Sequence, residues 1–171
     1  MTVVKALMSW NLITLRQDYP LSLAAELMKT SRVRHLPIRG ADGRLVGIIS
    51  QRDLFHSALV RALGVDTSAK DEVLQTTRIK DVMITEVLTT TPDTPIAEAA
   101  HLMMANKVGC LPVIQGDEIV GILTEGDFVA VAAGEKAELV ADSDPAHDRL
   151  DRHSRSGGEE ATMAKSTEIA S

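Results

Sequence analysis

Apolar residues recur at helical spacing twice along this chain, and each time a proline opens the run. Pro20 precedes Leu21, Ala24, Leu27 and Met28, and Pro95 precedes Ile96, Ala99, Leu102 and Met103. A first helical turn tolerates proline because its missing N–H has no intrahelical partner there, so both stretches predict helices with one apolar face toward a core. Pairs of short apolar runs follow. His35 to Ile38 and Leu45 to Ser50 flank an Asp42-Gly43 turn, and Leu111 to Ile114 and Ile119 to Thr124 flank Gly116-Asp117. Each pair predicts a hairpin, since glycine supplies the positive φ that tight turns demand. Asp53 and Asp127 then fall in the first turn of closing helices, where the helix dipole favours a carboxylate.

The pattern recurs because the sequence does. Shifted by 75 positions, Val4 to Ile38 aligns with Ile79 to Val113 without a gap: Met8 meets Met83, Pro20 meets Pro95, Ala24-Ala25 meets Ala99-Ala100, and Leu36-Pro37 meets Leu111-Pro112. The Arg39 to Arg44 turn is one residue longer than its counterpart, so Gly47-Ile48-Ile49-Ser50-Gln51-Arg52-Asp53 faces Gly121-Ile122-Leu123-Thr124-Glu125-Gly126-Asp127 at an offset of 74. Each copy reads as short helix, strand, helix, two strands and helix. The fold class expected is therefore α+β, built of α/β-type repeats that share one core, each a small sheet with packed helices. The first repeat takes residues 1–63, a polar connector with some helix 64–77, and the second repeat 78–134. Residues 135–171 form an acidic polar tail, expected to be disordered after about residue 142 because it lacks hydrophobic periodicity. Within it, Asp148 to Arg155 alternates charge and suits either a marginal helix on a partner or an untethered solubilising tail.

Composition refines this picture. The 171 residues are 44% hydrophobic and 25% charged, as in soluble globular chains, yet only 2% aromatic. Scarcity of rings argues against base-stacking nucleic-acid modules. The net charge of −6 offers no general attraction to nucleic acid or anionic lipid. Nine acids against five bases put −4 of that total in the tail, leaving the repeats nearly neutral. Cys110 is the only cysteine, which excludes an internal disulfide and a multi-thiolate zinc site and points to a reducing cytoplasm. Its place at a strand start suits a small buried hydrophobe better than a nucleophile. No long apolar run suggests membrane insertion or secretion. No Walker loop, His-Glu-x-x-His helix or Gly-x-Ser-x-Gly elbow occurs, and His35, His56, His101, His147 and His153 are scattered, so neither catalysis nor a metal site is expected.

Leu-Pro-Ile/Val after a helix, followed by Gly-Ile-Ile/Leu-Ser/Thr-x-x-Asp, resembles the cystathionine beta-synthase (CBS) domain, present twice across about residues 3–133. The resemblance implies a stand-alone Bateman module whose repeats pack about a pseudo-twofold axis and leave two clefts. It further implies a non-enzymatic regulatory role: an adenosine ligand (AMP, ADP, ATP or S-adenosylmethionine) binds with no obligatory cofactor, and a separate protein responds. A homodimer formed through helices is also implied. An interaction scaffold with vestigial clefts is the alternative.

A hydroxyl at a strand end and a carboxylate three residues later can converge on a ribose, and both copies have the pair, Ser50 with Asp53 and Thr124 with Asp127. The same pattern is a helix-start signature without any ligand. By resemblance, the two residues before Leu-Pro and the one before the ribose-binding Asp reach phosphates of a nucleotide whose ribose sits on the other repeat. The first copy has Arg34, His35 and Arg52 there, the second Gly109, Cys110 and Gly126. That asymmetry implies ribose on Asp127 and Thr124, with phosphates toward Arg34, His35 and Arg52. The cleft of Asp53 and Ser50 lacks cations and suits adenosine, a thioether-type ligand or nothing. Thr14 to Arg16 and Thr89 to Thr91, with Ile38, Val113, Ile48 and Ile122, are candidate adenine walls or core residues.

Overall fold

The computed structural model describes residues 2–55 and 67–135. His56, residues 64–66 of the connector and the tail beyond Glu135, with His147 and His153, lie outside the described residues.

The first repeat runs through α1 (Val4–Leu7), β1 (Leu15–Arg16), α2 (Leu21–Thr30), β2 (His35–Arg39) and β3 (Leu45–Ser50), with residues 51–55 helical again. A connecting helix, α3 (Thr67–Thr76), realises the helix expected in the connector. The second repeat opens on a 3-10 turn (Ile79–Asp81) and continues through α4 (Ile96–Asn106), β4 (Cys110–Gln115), β5 (Glu118–Thr124) and α5 (Glu125–Ala132). Both hairpins are antiparallel, with His35 opposite Ser50 and Cys110 opposite Thr124 at their open ends. Gly43 and Gly116 take φ of 80° and 63° in the two turns, so the turn chemistry read from the sequence is the chemistry used. Pro20 and Pro95 stand one residue earlier than read, at the N-cap positions of α2 and α4.

The repeats exchange their opening segments. Isolated β-bridges show it: Ser9 pairs with Ile122 of β5, and Ile84 pairs with Ile48 of β3. Likewise Val3 pairs with Pro95, and Arg78 with Pro20. Each contact recurs with the repeats interchanged, which is the pseudo-twofold relation in hydrogen bonds. In place of the single shared core expected, there are two apolar clusters. Val4, Leu7 and Met8 from the chain's start pack with Ala99, Met103, Leu111, Val113 and Leu123 of the second repeat. Ile79, with the partly buried Val82 and Met83, packs on Leu21, Ala24, Met28, Leu36, Ile38 and Ile49 of the first. A small sheet with one helix has an open apolar end, and the other repeat's opening segment covers it.

Glycine permits the close approach. A Cβ at Gly121 would lie 2.9 Å from the Ser9 carbonyl oxygen and 2.9 Å from Met8 Sδ, and one at Gly47 would lie 3.0 Å from the Ile84 carbonyl oxygen. At the hairpin tips, Arg44 reaches Asp117 across the repeats at 2.6 Å, an exposed pair that contributes about 0–1 kcal/mol. Tips meet tips and open ends meet open ends, so the axis runs along the hairpins.

Candidate functional site

At the open end of each hairpin a strand passes directly into a helix, and the residue at the junction is a hydroxyl. Thr124 is the N-cap of α5; its backbone N–H and its Oγ1 both donate to Asp127 Oδ2, at 2.8 and 2.9 Å. Ser50 repeats the arrangement, with its N–H and Oγ 2.8 and 2.6 Å from Asp53 Oδ2, while the Asp53 N–H donates back to Ser50 Oγ at 3.3 Å. Both hydroxyl and carboxylate pairs are thus capping boxes, so the helix-start reading of the motif is realised in each copy. The carboxylates differ in burial. Asp127 is only 6% exposed, whereas Asp53 is half-buried.

The open ends bring residues of both repeats to the seam. His35 Cε1 and Nε2 lie 3.3 Å from the point where a Cβ at Gly109 would stand, and Glu125 Oε2 lies 3.7 Å from it. The backbone repeats the symmetry: the Glu125 N–H donates to the Gly109 carbonyl at 3.1 Å, and the Gln51 N–H to the Arg34 carbonyl at 2.9 Å. Burial pushes the His35 imidazole below its ordinary range, with Arg34 adding to the shift and Glu125 and Asp53 opposing it. Cys110 is buried, and its thiol is pushed up to about 12 by desolvation and then by the Glu125 charge. It is a neutral packing residue, as its strand-start position suggested. Arg34 and Arg52 are exposed and, among the described residues, form no ion pair.

The candidate adenine walls divide. Ile38 and Val113 are fully buried core residues and offer no wall, while Ile48 and Ile122 carry the bridges to the exchanged segments. Thr89 to Thr91 line a cavity of about 680 Å³ with Thr94, Glu98, His101, Leu102 and Ile114. That cavity sits toward the turn of the second hairpin, four residues along β4 from the Cys110 to Thr124 end, or about 13 Å at strand rise. None of the seven predicted binding residues lines it. The sequence aligns Glu125 with Gln51 but does not mark it as a site residue, although the charge difference at that aligned pair was there to be read.

Two sheet-and-helix repeats with exchanged openings, each with a hydroxyl and carboxylate corner beside the seam, define a twin-repeat module. The chain belongs to the CBS domain family, which matches residues 4–59 and 79–134. A CBS domain-containing protein of Dictyostelium discoideum is 31% identical over 128 residues, 74% of this chain and 88% of that one. Among solved structures, CBSX2 in complex with AMP is 26% identical with a TM-score of 0.64, covering 80% of this chain and 99% of that one. The CBS domain pair of MJ0100, solved with 5′-methylthioadenosine and S-adenosyl-L-methionine, is 27% identical with a TM-score of 0.64, covering 79% and 98%. Other relatives are much longer: the chain spans 23% of the homoserine O-acetyltransferase of Methanohalobium evestigatum, so that likeness is confined to a CBS portion. No helix among the described residues is long and apolar enough to cross a membrane.

Proposed function

We propose that this chain is a cytoplasmic regulatory sensor that binds an adenine nucleotide between its CBS repeats and alters the behaviour of a separate protein. The ribose sits on Asp127 and Thr124, and the phosphates point toward Arg34, His35 and Arg52. One observation carries the reading. At pseudo-equivalent positions beside the seam, one repeat holds Arg34, His35 and Arg52, the other Gly109, Cys110 and Gly126, and the more buried carboxylate belongs to the repeat without cations. The solved relatives that hold AMP, or 5′-methylthioadenosine and S-adenosyl-L-methionine, support the ligand class.

Charge-assisted contacts to phosphate contribute about 1.5–3 kcal/mol each, so the cationic repeat selects the orientation. Regulation then requires that the nucleotide bind two arrangements of the repeats unequally, and a site assembled from both repeats can do so. The capping boxes favour a second reading, since they account for both Ser/Thr and Asp pairs without any ligand: an interaction scaffold. Calorimetric titration of Asp127→Asn and Asp53→Asn with AMP and ATP separates the two. Loss of affinity confined to Asp127→Asn supports sensing in the stated orientation. Equal losses, or loss only with Asp53→Asn, overturn the orientation, and no binding of AMP, ATP, S-adenosylmethionine or adenosine to the unaltered protein leaves the scaffold.

A further inference from the structure

The acid beside the cationic repeat stands on the first turn of α5, where the helix dipole favours it, but outside the cap. Helix α5 is capped by Thr124 and Asp127, so Glu125 is not needed to start it. Among the described residues Glu125 enters no ion pair, although it is exposed on the first helical turn with cations in the neighbouring repeat. Its carboxylate nonetheless points at the seam. Glu125 Oε2 and the His35 imidazole stand at 3.7 and 3.3 Å from one point, the missing Cβ of Gly109. Its field reaches both His35 and Cys110. The pseudo-equivalent residue in the first repeat is the neutral Gln51, so only one side of the seam carries this charge.

We propose that Glu125 is the charge selector of the nucleotide site, opposing phosphate and thereby limiting how strongly the site favours each further phosphate. The inference rests on the orientation given above, in which phosphates approach Arg34, His35 and Arg52. A phosphate chain entering there meets two guanidinium groups and an imidazole from one repeat and a lone carboxylate from the other. Adenosine adds no charge and is indifferent to that carboxylate. The carboxylate opposes a monophosphate modestly and each further phosphate more, because repulsion scales with the charge product; the attraction of the facing cations scales in the same way, so Glu125 weakens the gain from each added phosphate without reversing it. A Cβ at Gly109 would crowd the His35 ring at 3.3 Å and meet Glu125 at an ordinary 3.7 Å contact, so the glycine gives the imidazole room at the seam. Glu125 accordingly narrows the margin by which the site favours the triphosphate over the monophosphate and adenosine.

The test titrates adenosine, AMP and ATP into the unaltered protein, Glu125→Gln and Glu125→Asp, at low and high salt. Glu125→Gln removes the charge at constant size and is expected to leave adenosine affinity within about twofold while raising ATP affinity relative to adenosine about tenfold, the scale of one unit charge removed from a partly solvated site. AMP should gain less than ATP, high salt should shrink both gains, and Glu125→Asp should retain most of the discrimination. A ratio of ATP to adenosine affinity unchanged in Glu125→Gln, with adenosine still bound, overturns the charge selector alone. Absence of binding by all three ligands to the unaltered protein overturns the nucleotide reading and the selector with it.

Discussion

His35 is the residue whose setting differs most from what its position in the chain suggests. It pairs with Ser50 in its own hairpin, yet its ring rests against Gly109 of the other repeat. The groups facing it are Arg34 on its own strand approach, Asp53 in the helical residues 51–55, and Glu125 on α5. Because burial lowers its pKa in the fold, the unfolded chain takes up the proton first. Stability therefore falls as pH drops through the ordinary imidazole value of 6.5 and levels off below the folded value. A nucleotide phosphate beside the ring reverses this preference, so binding should draw in a proton in that window and tighten on acidification. Calorimetry near pH 6 in buffers of different ionisation enthalpy should register proton uptake in the unaltered protein and none in His35→Gln. Uptake that persists in the variant assigns the proton elsewhere. The identity of His35 as a site candidate was legible from its place before Leu36-Pro37. Its cross-repeat neighbours were not, because Gly109 and Glu125 lie far along the chain and have no local signature pointing to it.

The helices and hairpins were legible for a local reason. Their apolar periods and glycine turns act over a few residues, and the structure uses Gly43 and Gly116 as read. The exchange of opening segments is a long-range pairing that no period records. It makes each repeat's stability depend on residues numbered with the other. Leu7→Ala should cost about 2–5 kcal/mol and lower hydrogen-exchange protection first in β4 and β5, whereas Ile79→Ala should do the same in β2 and β3. Protection lost first in the mutated residue's own sequence repeat contradicts the exchange. Gly121 belongs to the same element pairing. Its missing side chain lets the Ser9 backbone come close enough for the Ser9 and Ile122 bridge, whose N–H to O distances are 2.9 and 3.1 Å.

Two repeats related by a pseudo-twofold axis present matching helices outward, and their exposed apolar residues suggest what those helices meet. Met104 on α4 is 76% exposed and Val129 on α5 is 67% exposed, with Phe55 at 62% on the first repeat's closing helix. Single exposed apolar residues are ordinary, but three on the helices of a nearly neutral module suit association with a second copy. We expect a homodimer through these helices. Sedimentation at raised concentration should give a dimer that the double variant Met104→Glu, Val129→Glu reduces to a monomer with unchanged far-ultraviolet circular dichroism. A monomer at every concentration removes the expectation.

The amino-acid sequence by itself determined the elements, the duplication and the residue types at the candidate site, because each depends on spacing along the chain. It also determined the charge asymmetry between Arg34, His35 and Arg52 and their partners Gly109, Cys110 and Gly126. Only the tertiary structure decided that the described residues form two cores rather than one, each completed by the other repeat. It alone set Glu125 and His35 over the same glycine. The bridges between the repeats join residues from 36 apart, Ile48 with Ile84, to 113 apart, Ser9 with Ile122, and such contacts are chosen by which apolar surfaces and charges fit together in space, a selection made by packing and not by local pattern.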